Sequence, residues 1–223
     1  MSFRPEPYDL LRLCDTADVF AEFVEEQTFV EACVCRTPWV VVRRAVVSTD
    51  RVAVGVRGGT RTERYAAWIR RCDIVQVLSA EALRWSEILL PLPAFESLRT
   101  VEQRWRGIGL VWGPVGSVGF AIAADRSAVH EKSDLDLLLR MPEQPKESKV
   151  TWLMESLAGL SVRVDVQVQT PCGYVALAEL VQGKDKVLLR KICGDVALVK
   201  NPWQSSIPRA SVPSALADQG LLV

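Results

Sequence analysis

GPVGSVGFAIAADRSAVHEKSDLDLLLR, residues 113–140, decides how this chain is read. A Gly116-Ser117 turn follows the apolar run GLVW, a short helical stretch comes next, and after a loop Asp134 and Asp136 head a run of leucines. In a strand, residues i and i+2 project to one face about 6.6 Å apart. Asp134 and Asp136 therefore point together, while Leu135, Leu137 and Leu139 turn to a core. Two carboxylates this close repel each other unless a cation stands between them. Hard oxygen ligands at this spacing suit a magnesium ion that keeps water and substrate phosphates in its shell. Metal-dependent phosphoryl or nucleotidyl transfer is the matching chemistry. A lone D-x-D has a plainer reading, a strand start followed by a solvated edge residue.

A third carboxylate shifts the balance. In SVRVDVQVQT (161–170), Val162, Val164, Val166 and Val168 take one face of an alternating strand, and Arg163, Asp165, Gln167 and Gln169 take the other. If this strand lies beside the first, Asp165 reaches the same cluster, as a third metal ligand or as a base. The Gly116-Ser117 turn supplies the other half of such a site. Glycine lets backbone N–H groups approach a phosphate, a helix start favours an anion, and the serine hydroxyl adds a hydrogen bond.

Outward from this centre, the second half alternates. It reads as a helix from Ala94 to about Arg106, strand GLVW, the turn and short helix, strand DLDLLLR, a helix over 146–158 and strand SVRVDVQVQT. A helix over GYVALAELVQ and a hairpin of DKVLLRKI with DVALVK follow. The first half suggests a helix over 16–26 and a hairpin of WVVVRRAVV with RVAVGVRGG. After these come an amphipathic helix over RTERYAAWIRRC (61–72), a strand DIVQVLS and a short helix in AEALRWSE. Pro91 and Pro93 mark a change of character, which puts a domain boundary near Leu90. The expected organisation is an N-terminal α+β domain over 1–90, a catalytic domain over 91–208 and a mobile tail over 209–223.

Composition narrows the function. Among 223 residues, 27 Lys and Arg balance 27 Asp and Glu, so the chain lacks the one-signed charge of a general nucleic-acid binder, and any polyanion site is local. No apolar run approaches the roughly 20 residues that span a bilayer. The charged N-terminus does not read as a signal peptide, so a cytoplasmic location is expected, with no membrane partner. The six cysteines have no C-x-x-C pair and read as reduced core thiols. With His130 as the one histidine, a histidine-rich metal site or a catalytic histidine pair is excluded.

The order Gly-Ser turn, D-x-D strand, third-Asp strand resembles the nucleotidyltransferase superfamily related to DNA polymerase β. The stretch between Ser117 and Asp134 is longer than in many members, with AADRSAVHEK as an insert. Wider stretches carry a closer resemblance: RPEPYDLLRL, VVVRRA, VGVRG with RYAAWI, PLPAFESLRTVE, WGPVGSVGFAIAAD and SDLDLLLR. Together, over most of residues 3–203, they are similar to the malonate decarboxylase holo-acyl-carrier-protein synthases, the phosphoribosyl-dephospho-CoA transferases. Tyr8 departs from the pattern, which has a histidine before Asp-Leu-Leu.

This resemblance implies a polymerase-β-like mixed sheet with flanking helices after a smaller α+β domain. It implies transfer of phosphoribosyl-dephospho-CoA from 2'-(5''-triphosphoribosyl)-3'-dephospho-CoA to a serine of the malonate decarboxylase acyl carrier protein, with loss of pyrophosphate. Asp134, Asp136 and Asp165 would hold Mg2+ or Mn2+, and Gly116 and Ser117 the β- and γ-phosphates. Weaker candidates for phosphate contact are Lys184, Lys186, Arg190 and Lys191, since a basic run around an edge strand is more often a solvated face. The turn carrying Arg57, Gly58, Gly59 and Arg61 is explained by hairpin closure or by substrate contact. His130 reads as a loop histidine, and the seven tryptophans as core or rim packing. Two alternatives are a nucleotidyltransferase of the same fold with another acceptor and a non-catalytic nucleotide- or carrier-binding module.

Overall fold

The computed structural model describes residues 4–60, 63–83, 91–124 and 128–204. Two six-stranded sheets form an α+β architecture. The first contains β1 (Leu10–Leu13), β2 (Val19–Ala21), β3 (Trp39–Val42), β4 (Arg51–Arg57), β5 (Arg64–Arg70) and β6 (Ile74–Leu78), in the order β2-β5-β4-β3-β1-β6. Every neighbouring pair in it is antiparallel. Helix α1 (Gln27–Arg36) packs Val30 and Cys33 into its core.

The second sheet is mixed. It contains β7 (Val111–Pro114), β8 (Leu135–Arg140), β9 (Val164–Thr170), β10 (Gly173–Ala176), β11 (Val187–Arg190) and β12 (Val196–Val199), in the order β12-β11-β10-β9-β8-β7. Only β8 and β9 run parallel, joined by a crossover that carries α4 (Glu147–Glu155), as parallel neighbours require. Leu135, Leu137 and Leu139 are fully buried with Val166 and Val168, beneath Phe95 and Val101 of α2 (Pro93–Arg104) and Leu153 of α4. Each such side chain contributes about 1.5–3 kcal/mol by leaving water, so the register that turns Asp134 and Asp136 the other way is firmly fixed.

That opposite face is covered as well. Leu138 packs with Ala80, Val115 and Tyr174, and Tyr8 lies against this group. Arg140, next on the same face, pairs with Glu6 at 2.6 Å and Glu81 at 3.1 Å. The N-terminal segment and the end of the first sheet are thereby locked onto the face that carries Asp136. Gly113 permits the close approach, since a Cβ there would stand 1.9 Å from the Ala80 carbonyl oxygen.

Several elements differ from the sequence expectation. Residues 16–26 are not a helix: they form β2 and a 3-10 turn (Val24–Glu26), and the helix begins at Gln27. Phe23 and Val24 are 55% and 87% exposed, so the apolar spacing there marks no buried face. RTERYAAWIRRC is not an amphipathic helix but β5, paired with β4 from Arg51↔Arg70 to Arg57↔Arg64. Five consecutive apolar residues fit a helix or a buried strand equally, and the seven-residue pairing decides for the strand. GYVALAELVQ opens as β10 against β9, and helix α5 (Leu177–Val181) starts only afterwards.

In AEALRWSE, Ala80–Ala82 form a 3-10 turn that ends at the buried Leu83, and residues 84–87 lie outside the described residues, as do the boundary near Leu90 and the tail. The cysteines are all free, yet only Cys33 is buried. No helix among the described residues is long and apolar enough to cross a membrane.

Candidate active site

Strand β7 delivers the chain to Gly116, where α3 (Gly116–Ala123) begins. The Val115 N–H donates to the Asp136 carbonyl at 2.9 Å, which staples the turn to β8 at the aspartate. Gly116 has φ +61°, and a Cβ there would stand 2.1 Å from Asp136 Oδ2. Glycine is thus required twice, for a backbone that L-residues rarely adopt and for the space the carboxylate fills.

Asp134 precedes β8 in a turn held by Ser133, whose Oγ accepts from the His130 N–H at 3.0 Å. Asp134, Asp136, Ser117 and His130 line one cavity of about 220 Å3. Asp165 lies on β9 in register with Asp136 but is not among the residues that line this cavity. The Asp136 carboxyl is pushed above the usual carboxylate range, first by burial and then by the charges of Asp165 and Asp134, with Arg64 and Arg57 opposing. Arg163 holds Asp165 at 3.0 Å.

The first sheet closes this cavity from above. Arg57 and Arg64, partners at the end of the β4–β5 hairpin, both line it together with Gly58 and Gly59. Arg57 donates to the Gly116 carbonyl at 3.1 Å and lies over the Phe120 ring at 5.2 Å. Burial, and then the neighbouring Arg64 charge, lower its pKa to about 10, so it remains a cation at neutral pH. Arg64 was not singled out from the sequence, because the helical reading of 61–72 hid its pairing with Arg57. Arg61 lies outside the described residues. Lys184 and Lys186 are exposed and line neither this cavity nor the one beside it, whereas Arg190 lines the second.

The donor set fits a divalent cation in its chemistry. Two carboxylates open to one cavity, and a cation beside them would offset the burial and like-charge repulsion that raise the pKa of Asp136. They do not make a closed cage: among the described residues no group of three His, Cys, Asp or Glu side chains is arranged to hold a metal by itself. An ion here would need oxygens from substrate and water to complete its shell.

A glycine turn at a helix start, paired carboxylates and facing arginines are the equipment of a protein that handles a phosphorylated substrate. Comparison with known proteins makes the assignment specific. The family model described as the phosphoribosyl-dephospho-CoA transferase MdcG N-terminal domain matches residues 6–80, and that of the MdcG C-terminal domain matches residues 68–202. The phosphoribosyl-dephospho-CoA transferase of Pseudomonas aeruginosa is 37% identical over 205 residues, 90% of this chain and 94% of that protein. Its namesakes in Pseudomonas putida strain W619 and Azotobacter vinelandii are 38% and 36% identical, each over about nine-tenths of both chains. No solved structure matches. The chain belongs to the phosphoribosyl-dephospho-CoA transferase family.

Proposed function

We infer that this protein transfers phosphoribosyl-dephospho-CoA from 2'-(5''-triphosphoribosyl)-3'-dephospho-CoA to a serine of the malonate decarboxylase acyl carrier protein, in the cytoplasm. Family membership carries the transferase reading. The observation that supports this choice of site is the meeting of Gly116, Ser117, Asp134 and Asp136 with Arg57 and Arg64. Residues 91–208 are read as a polymerase-β-like catalytic domain and residues 1–90 as a domain that completes its site. Support comes from the mixed sheet, the parallel β8–β9 pair with aspartates in register and the glycine turn before α3.

In the reaction the serine oxygen attacks the α-phosphorus, the bond from that phosphorus to the bridging oxygen breaks, and pyrophosphate leaves with the electron pair. Asp134 and Asp136 would hold magnesium or manganese, which supplies charge neutralisation at the reacting phosphate and a lowered serine pKa. Ser117 and the amides at the start of α3 bind the departing phosphates. Arg57 and Arg64 stabilise the charge that develops on them. Asp165 receives the serine proton, a role supported by its register opposite Asp136.

Intact-mass spectrometry of the apo carrier subunit tests this, after incubation with the protein, triphosphoribosyl-dephospho-CoA and magnesium. A gain equal to phosphoribosyl-dephospho-CoA is expected, and none with Asp134→Asn. No gain with the native protein, while nucleotide still binds, would reject the carrier as acceptor.

A further inference from the structure

A second cavity of about 600 Å3 opens on the other side of Gly116 and Asp136. It shares Arg57, Arg64 and Asp136 with the first, and its walls come from both sheets. Arg43 and Arg44, just beyond β3, contribute from one side, and Gln167 of β9 and Arg190 of β11 from the other. Five guanidinium groups line it against the single carboxylate of Asp136. In a chain with no net charge, that is a local concentration of positive potential.

Several polar atoms of this cavity lack hydrogen-bond partners among the described residues. Five buried side-chain atoms among the described residues make no hydrogen bond; three belong to side chains that line this cavity, Arg44 Nη1, Arg190 Nη1 and Gln167 Oε1, and a fourth, the Tyr174 hydroxyl, belongs to a ring beside Arg44. Arg44 has no carboxylate in ion-pair reach among the described residues and lies 5.8 Å from the ring centres of both Tyr8 and Tyr174. The nearest carboxylate oxygen to Arg190, on Glu179, is 3.9 Å away. Buried donors left without partners are costly and are retained where a ligand supplies the acceptors. Tyr8 adds strain, since its φ of +78° is the one positive value outside glycine among the described residues.

We propose that this cavity is the subsite for the dephospho-CoA half of the substrate, with Arg44 and Arg190 on its diphosphate bridge. The inference rests on the transferase reading above. That substrate carries two polyphosphate segments, the triphosphate, whose outer two phosphates depart as pyrophosphate, and the retained diphosphate of the CoA half. With the reacting phosphorus at the edge shared by Asp136, Arg57 and Arg64, the leaving segment lies toward Ser117 and the retained half runs the opposite way. An acidic loop of the carrier protein is the competing occupant. Arg44 and Arg190 are only partly exposed, set into the cavity walls with one nitrogen of each covered, and a diphosphate on a flexible arm reaches such recessed groups more readily than a folded loop does.

Isothermal titration with dephospho-CoA, and separately with magnesium pyrophosphate, tests this on the full-length protein and on Arg44→Met and Arg190→Met. Dephospho-CoA binding should weaken about 10- to 100-fold in each variant, the range of a lost charge-assisted hydrogen bond. Pyrophosphate binding should hold, and KM for the triphosphoribosyl substrate should rise while KM for the carrier does not. If Arg44→Met fails to fold, Arg190→Met decides. Unchanged dephospho-CoA binding with a raised KM for the carrier would overturn the proposal and make the cavity a carrier dock. A native protein that neither binds dephospho-CoA nor modifies the carrier would overturn the transferase reading itself, a result distinct from the first.

Discussion

The first sheet meets the shared cavity with arginines, and the second meets it with carboxylates. Arg57 and Arg64 stand at the tip of an antiparallel hairpin, where a turn and a pair of strand ends carry them. Asp136 stands inside a mixed sheet on a strand whose leucines fix its facing. The carboxylates are set by a buried core and the arginines by the docking of one sheet on the other. Under the proposed function, binding of a polyanion would draw on both, with a cation held by one side and the guanidiniums of the other acting on the same phosphates.

The largest expected effect comes from the carboxylate side. Asp136→Asn should reduce carrier modification by about a thousandfold or more, the scale of a lost metal or transition-state contact. It should also raise the melting temperature at neutral pH. The folded-state pKa of Asp136 lies above its unfolded value, so ionisation at neutral pH opposes folding, and an amide removes that cost. A variant that loses both activity and stability would mean that the carboxylate braces the fold instead.

On the arginine side, Arg57→Met should cost roughly 10- to 100-fold in kcat/KM for the nucleotide, as expected for one charge-assisted contact. Single-turnover mass measurements with wild type and variant would show it. Equal rates would confine the first sheet to support. Gly116→Ala touches the boundary between the two sides. Its Cβ would collide with Asp136 in a backbone that disfavours alanine, and a stability loss of about 1–3 kcal/mol is expected, with a larger loss of activity. Denaturant melts read the first and the transfer assay the second.

The smallest effect on activity concerns the lock between the sheets. Asp9 is 2% exposed, accepts the Glu6 N–H at 2.8 Å, and has its pKa raised by burial from 3.8 to about 6. Above pH 6 its ionised form weakens the fold, and stability from this group returns as pH falls through 6 toward 4. Relative to Asp9→Asn, wild type should therefore gain up to about 3 kcal/mol between pH 7.5 and 4. Paired melts across that range would measure it, and parallel curves would contradict it.

Legibility in the sequence follows the same division. Strands β8 and β9 were readable because one face of each is strictly apolar, while the other is polar throughout in β9 and carries Asp136 and Arg140 around Leu138 in β8. Gly116 and Ser117 were readable because a strand precedes them and a helix follows. In the first sheet, YAAWI is apolar throughout and names neither period, and the apolar residues over 16–26 include Phe23 and Val24, which face solvent. Arg64 was hidden with β5. Arg44 and Tyr8 had no local signal, since their part in the second cavity comes from contacts between segments far apart in sequence.

Gly113 gives the assembly a clearance with almost nothing to spare. A single methyl there meets the Ala80 carbonyl and acts as a shim between the two layers, one carbon thick and outside both cavities. It would widen the gap that the guanidiniums must bridge while leaving every charged group chemically intact. The absent side chain of one residue thus sets the spacing at which the two halves work as a single site.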